Sequence, residues 1–176
     1  DADPSGGSAA GESYVVFGGT SVGTNGVFAL SSLDGTTGFR LDGIDASDAA
    51  GFSVSGAGDV NGDGYADIII GAPAANASAG ESYVVFGKAS GFAASIALSS
   101  LDGTTGFRID GITSADNSGA AVGFAGDVNG DGFDDLIIGA ERADTAGGTD
   151  AGETYVVFGA ATFASSLTLS TLNGST

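Results

Sequence analysis

The sequence predicts an all-β protein assembled from repeated four-stranded units, and three observations lead there. Short runs of Val, Ile, Phe and Tyr alternate with glycine-rich turns, with 33 Gly and 42% apolar residues among 176, the pattern of strands rather than of disorder. The runs recur: GESYVVFG starts at Gly11 and Gly80 and GETYVVFG at Gly152, while LSSLDGTTGFR starts at Leu30 and Leu98 and returns as LSTLNGST at Leu169. No 3.6-residue apolar period accompanies the repetition, so the units are not helical. Four strands in about 70 residues, joined by Gly-rich turns, suit a propeller blade or a β-solenoid rung.

Each unit runs in the order GF-rich strand, acidic loop, III/LII strand, YVVFG strand and FR(L/I)DGI strand. The first, at 51–58 and 121–126, alternates apolar with very small side chains, which suits an innermost strand where units converge on an axis. Ile68-Ile69-Ile70 and Val84-Val85-Phe86 are continuous apolar runs, expected for central strands covered on both faces. Phe39-Arg40-Leu41-Asp42 and Phe107-Arg108-Ile109-Asp110 alternate and carry charge, which fits an outer edge protected from further pairing. Arg40 and Arg108 recur in register and are expected to bond a carboxylate of the same or the next unit.

The chemistry lies in a nine-residue pattern that occurs twice, DVNGDGYAD at 59–67 and DVNGDGFDD at 127–135. Ca²⁺ takes six to eight oxygens at flexible distances, and closely spaced acidic and amide side chains around a glycine turn supply them. Positions one, three, five and nine are Asp59, Asn61, Asp63 and Asp67, then Asp127, Asn129, Asp131 and Asp135. At position seven, Tyr65 and Phe133 offer only a backbone carbonyl. Gly64 and Gly132 sit where a left-handed backbone is needed. A polar turn between strands needs one or two such residues, not four oxygen donors in alternating register. The twelfth positions are Ile70 and Ile138, inside strands, so neither loop is an EF-hand, which ends in Glu and is flanked by helices. Two Ca²⁺ per chain are expected.

Composition narrows the function. Four Lys+Arg against 22 Asp+Glu give a formal charge of −18, and two calcium ions leave it at −14. Nucleic acid and anionic membrane surfaces, which need basic patches, are excluded as partners. No run of about 18 apolar residues is present to span a membrane, and no signal peptide is visible at Asp1. With no Cys there is no disulfide framework, a role that a metal can take over in a secreted protein. With no His and no Cys, the commonest general base and the usual thiol nucleophile are missing, and the many Ser residues have no partner base. Loop carboxylates flanking a glycosidic bond explain the register less well than a cation does. The chain reads as non-enzymatic, with no catalytic residues.

GFSVSGAGDVNGDGYADIIIGAP at 51–73 and its sister at 121–140 resemble the FG-GAP repeat of the integrin α-subunit β-propeller and its bacterial relatives. The Gly-Ala-Pro element stands as Gly71-Ala72-Pro73 in one copy and Gly139-Ala140-Glu141 in the other, and the Phe-Gly element is reversed at Gly51-Phe52 and Gly123-Phe124. The resemblance implies four-stranded antiparallel β-propeller blades with Ca²⁺ in the loop between first and second strands. It places the ligands on Asp59, Asn61, Asp63, the Tyr65 carbonyl and Asp67, and on Asp127, Asn129, Asp131, the Phe133 carbonyl and Asp135. On this reading 1–44 holds the third and fourth strands of one blade, 45–112 is complete, and 113–176 is nearly complete. About two and a half blades cannot close a propeller of four to eight, so the remainder is expected from further repeats of the same polypeptide or from other copies. The expected role is structural, in an extracellular or cell-surface filament or array. The alternative is an integrin-like adhesion module for a protein or glycan ligand. Recognition sites usually break repetition with aromatic or charged anchors, and the irregular stretches at 19–26 and 140–152 hold no aromatic anchor.

Overall fold

The computed structural model describes residues 8–19, 23 and 26–174. Among the described residues eleven strands lie in chain order: β1 (Glu12–Val16), β2 (Gly38–Asp42), β3 (Ser53–Gly58), β4 (Asp67–Ala72), β5 (Glu81–Val85), β6 (Ser95–Ala97), β7 (Gly106–Asp110), β8 (Ser118–Gly126), β9 (Asp135–Ala140), β10 (Glu153–Val157) and β11 (Ser166–Thr168). Single 3-10 turns follow at Leu30–Ser32, Leu98–Ser100 and Leu169–Thr171. A short α-turn, Ala75–Ser78, contains left-handed backbone at Asn76 and Ala77. The fold is all-β, and every expected strand of the repeat is present.

Among the described residues three sheets form, in the orders β1-β2-β6, β11-β7-β5-β4-β3 and β10-β9-β8. Within the middle sheet β3, β4, β5 and β7 pair antiparallel in sequence order, the four-stranded arrangement that the repeat predicts. A fifth strand was not anticipated. β11 pairs parallel with β7, and β6 pairs parallel with β2. Each comes from the following repeat, from the stretch between its YVVFG strand and its FR(L/I)D strand. The FR(L/I)D strands are therefore not free edges, and this corrects the expectation drawn from their charge. Aromatic stacking explains the outcome: Phe39 lies flat on Phe92 with centroids 4.5 Å apart, and Phe107 on Phe163 at 4.1 Å. Burying two large rings this way outweighs leaving an edge open to water.

The middle sheet is covered on both faces, as its continuous apolar runs require. Ile69, Val84, Phe107 and Ile109 point into a core shared with Leu136, Ile138 and Val157 of the third sheet. Ile70, Tyr83 and Val85 point the other way, into a core with Phe39, Leu41, Leu98 and Leu101. The recurrent arginines pair as expected, within their own strand and with the adjacent one. Arg40 meets Asp42 at 2.5 Å and Glu12 at 3.5 Å, and Arg108 meets Asp110 at 2.6 Å and Glu81 at 3.7 Å. Among the described residues, no helix is long and apolar enough to cross a membrane.

Candidate metal sites

Each acidic loop leaves the first strand of its repeat through a β-bulge. The register slips between Gly56 and Gly58 in β3 and between Phe124 and Gly126 in β8, so that Gly58 faces Asp67 and Gly126 faces Asp135. Bulges re-aim the chain at sites where side chains must leave the ladder. The loop then folds back on itself through Gly64 (φ 88°) and Gly132 (φ 94°), in the left-handed region expected of them.

Within the first loop, the Asp63 N–H donates to Asp59 Oδ1 and to Asn61 Oδ1, each at 3.0 Å. Gly64 N–H donates to Asp59 Oδ2 at 2.9 Å, and Tyr65 N–H to Asp63 Oδ1 at 2.8 Å. The second loop repeats this atom for atom: Asp131 N–H to Asp127 Oδ1 (3.0 Å) and Asn129 Oδ1 (2.9 Å), Gly132 N–H to Asp127 Oδ2 (3.0 Å), and Phe133 N–H to Asp131 Oδ1 (2.9 Å). Two independent stretches thus draw the oxygens of positions one, three and five around one turn.

The ninth residue is placed differently. Asp67 and Asp135 open β4 and β9 and are buried, at 1% and 0% exposure. Asp67 accepts the N–H of Val60 at 2.9 Å and of Gly87 at 2.8 Å, and Asp135 those of Val128 at 2.7 Å and Gly159 at 2.9 Å. Each therefore clamps the loop's second residue to the glycine that ends the YVVFG strand. Burial pushes the Asp67 carboxyl up to about 6, against the pull of the Gly87 and Val60 N–H bonds, and the nearby Asp63 and Asp59 charges push it the same way.

The donor chemistry fits a hard divalent cation. An ionised carboxylate accepts only, and one or two N–H bonds leave lone pairs for a metal. Among the described residues no ion pair reaches either loop. The mutual repulsion felt at Asp67 is the kind a bound cation removes. The side chains do not, however, converge as a finished cluster: among the described residues no three acidic groups gather at one metal-sized point. Asp59, Asn61 and Asp63 are drawn together, Asp67 is buried, and Tyr65 is 43% exposed. The residues that would hold calcium remain those named from the sequence, and the ion would supply positive charge to the turn.

One feature of the site escaped sequence reasoning. Asp134, which follows the backbone-carbonyl position of the second loop, reaches the first loop, where its Oδ2 accepts the Asp59 N–H at 2.8 Å. The only signal for it was a difference between near-identical loops, since the matching position of the first loop is Ala66. Of the two irregular stretches, 19–26 lies largely outside the described residues. The other, 140–152, turns through a Thr145–Gly148 bridge, with exposed Glu141 and Arg142 paired at 3.8 Å.

Comparison with known families agrees with the geometry. The family model described as FG-GAP repeat matches residues 50–85 and 118–157, stretches that run from β3 and β8 through the acidic loops to the YVVFG strands. No curated protein matches the chain.

Proposed function

The chain is an FG-GAP repeat protein, and from that premise we propose that it is a non-enzymatic, calcium-binding, extracellular β-propeller array whose role is structural. The observation that carries this reading is that each repeat is completed by the next. β6 and β11 extend the sheet of the preceding repeat, and the ring pairs Phe39–Phe92 and Phe107–Phe163 seal the joints. Units joined by strand pairing and shared core behave as one continuous body, as a filament, stalk or surface layer needs. Residues 45–112 make one blade, 1–44 bring the last two strands of another, and 113–176 the first three of a third. The partners are further repeats of the same polypeptide or other copies of it.

Calcium stiffens this array on the same reading. One ion lies among Asp59, Asn61, Asp63, the Tyr65 carbonyl and Asp67, the other among Asp127, Asn129, Asp131, the Phe133 carbonyl and Asp135. Extracellular calcium modules bind with dissociation constants of roughly 0.1–1 mM, a range in which extracellular calcium keeps such sites filled. Negative-stain imaging of native material in millimolar Ca²⁺, with and without EGTA, tests the proposal. Continuous filaments or sheets that loosen in EGTA are expected. Monodisperse closed discs that capture a protein or glycan ligand would favour the adhesion module instead.

A further inference from the structure

We propose that the two acidic loops are energetically coupled and that Asp134 is the positioning residue that couples them. The inference rests on the calcium reading above. Asp134 lies between two ligand positions of the second loop, the Phe133 carbonyl and Asp135, so an ion held there fixes the backbone on both sides of it. Its own carboxylate turns away, and Oδ2 accepts the N–H of Asp59 at 2.8 Å. Asp59 is the first ligand position of the first loop. The contact is reciprocal, because the Asp134 N–H donates to the Asp59 carbonyl at 3.1 Å.

Two further contacts reinforce it. The Val60 carbonyl accepts the N–H of Ala160 at 3.0 Å, next to Gly159, which Asp135 holds. The Phe133 ring lies so close to Gly62 that a Cβ there would meet it at 2.6 Å. The first loop therefore rests on the residues that the second ion orders. Ordering the second loop holds Asp59 in its ion-binding position, and by linkage filling the first loop favours the second equally. Repeats in series would then take up calcium as a coupled row.

The experiment uses the intact chain and Tb³⁺ as the calcium stand-in. Tyr65 belongs to the first loop and Phe133 to the second, so the part of the tyrosine-sensitised terbium luminescence that a Tyr65→Phe control removes reads the first loop. Asp131→Ala, which removes a ligand only from the second loop, is expected to weaken first-loop binding about tenfold. Asp134→Ala should weaken it similarly, and the double variant no further. Asp134→Asn, which keeps an acceptor oxygen, should stay near the parent. Hydrogen exchange in EDTA reads the contact without metal: the Asp59 amide should lose protection in Asp134→Ala. First-loop affinity unmoved by either Asp131→Ala or Asp134→Ala overturns the coupling and leaves the calcium reading intact. No terbium or calcium uptake by the parent chain overturns the calcium reading and the coupling with it.

Discussion

Asp59 and Asp134 hold each other twice, backbone carbonyl to backbone N–H at 3.1 Å and backbone N–H to carboxylate at 2.8 Å. This pair ties the acidic loop of one repeat to that of the next, and its surroundings are cleared to admit it. A Cβ on Gly58 would lie 2.3 Å from Asp134 Oδ2 and 2.6 Å from the Phe124 ring, whereas one on the sister residue Gly126 would meet nothing within 4 Å.

Gly58→Ala and Gly126→Ala therefore separate conformation from contact. Both glycines have positive φ, 73° and 76°, so alanine at either costs about 1 kcal/mol of backbone strain. Only Gly58→Ala also displaces the Asp134 carboxylate and a ring, adding roughly 1–3 kcal/mol. Denaturant unfolding should show the larger loss at Gly58. Equal losses would mean that the junction between loops contributes nothing.

The joint made by the parallel strands should be equally sensitive. Phe163 stacks on the fully buried Phe107 at 4.1 Å with an interplanar angle of 7° and also touches Phe86 at 5.9 Å. Phe163 is half-buried, so Phe163→Ala uncovers the Phe107 face to water and should cost about 2 kcal/mol. Hydrogen exchange should show faster exchange at the Arg108 amide, which donates to Ser165 at 3.0 Å. A full-strength Arg108 amide in the variant would show that β11 docks without its ring.

Much of this was legible beforehand, for physical reasons that differ from element to element. Ile68–Ile70 could be read as a doubly covered strand because three consecutive apolar residues leave no solvent face. The tight turn of each loop could be read because Gly64 and Gly132 stand where the backbone must turn left-handed, and both have positive φ. β6 and β11 could not be read: Ser95–Ala97 and Ser166–Thr168 are three residues each, too short for a period, and their partners are a whole repeat away. Nor could the division of labour among the loop acids. Alternation treats Asp67 as a fourth equal ligand, but the bulge and the β4 ladder bury it and engage both of its oxygens with N–H groups.

Arg108 tests the buried charges between neighbouring strands. Glu81 is 6% exposed; burial raises its carboxyl, while the bond from Tyr83 and the Arg108 charge pull it back down. Arg108→Met removes the positive charge beside this carboxylate and Asp110. Asn76 and Tyr83 still donate to Glu81 and the Arg108 side chain is 40% exposed, so the loss should be about 1 kcal/mol at neutral pH. The loss should shrink as pH falls and Glu81 takes up a proton. A penalty independent of pH would assign the role of Arg108 to packing of its stem.

Ligand assignment is checked by a matched pair of aspartates. Asp63→Ala removes a central donor of the first loop, whereas Asp48→Ala removes a carboxylate that precedes β3 and lies outside the loop. Calorimetric titration should show first-loop calcium affinity falling at least about tenfold for Asp63→Ala and not moving for Asp48→Ala. Equal losses would show that alternation along the loop does not mark the ligands.

The buried Asp67 predicts how acid and calcium exchange roles. Its folded-state carboxyl is pushed up to about 6 from an ordinary 3.8, so the folded chain binds this proton more tightly than the unfolded one. The stabilising contribution is therefore complete below about pH 4 and disappears as pH rises through about 6. In EDTA, stability should fall between about pH 4 and pH 7, with a contribution from this group on the order of 2 kcal/mol. Asp67→Asn keeps an acceptor oxygen without the charge, so this step should be missing from the variant. On the proposed calcium reading the ion would act in the opposite sense, because it would bind the ionised loop. Its stabilisation, about 1.4 kcal/mol per site at roughly tenfold saturation, should grow as pH rises over the same window. Melting curves of the parent and Asp67→Asn chains, each in EDTA and in calcium, measure both slopes. Parent and variant with the same pH dependence in EDTA would remove Asp67 as the source, and calcium stabilisation that does not grow between about pH 5 and pH 7 would separate the ion from this carboxylate.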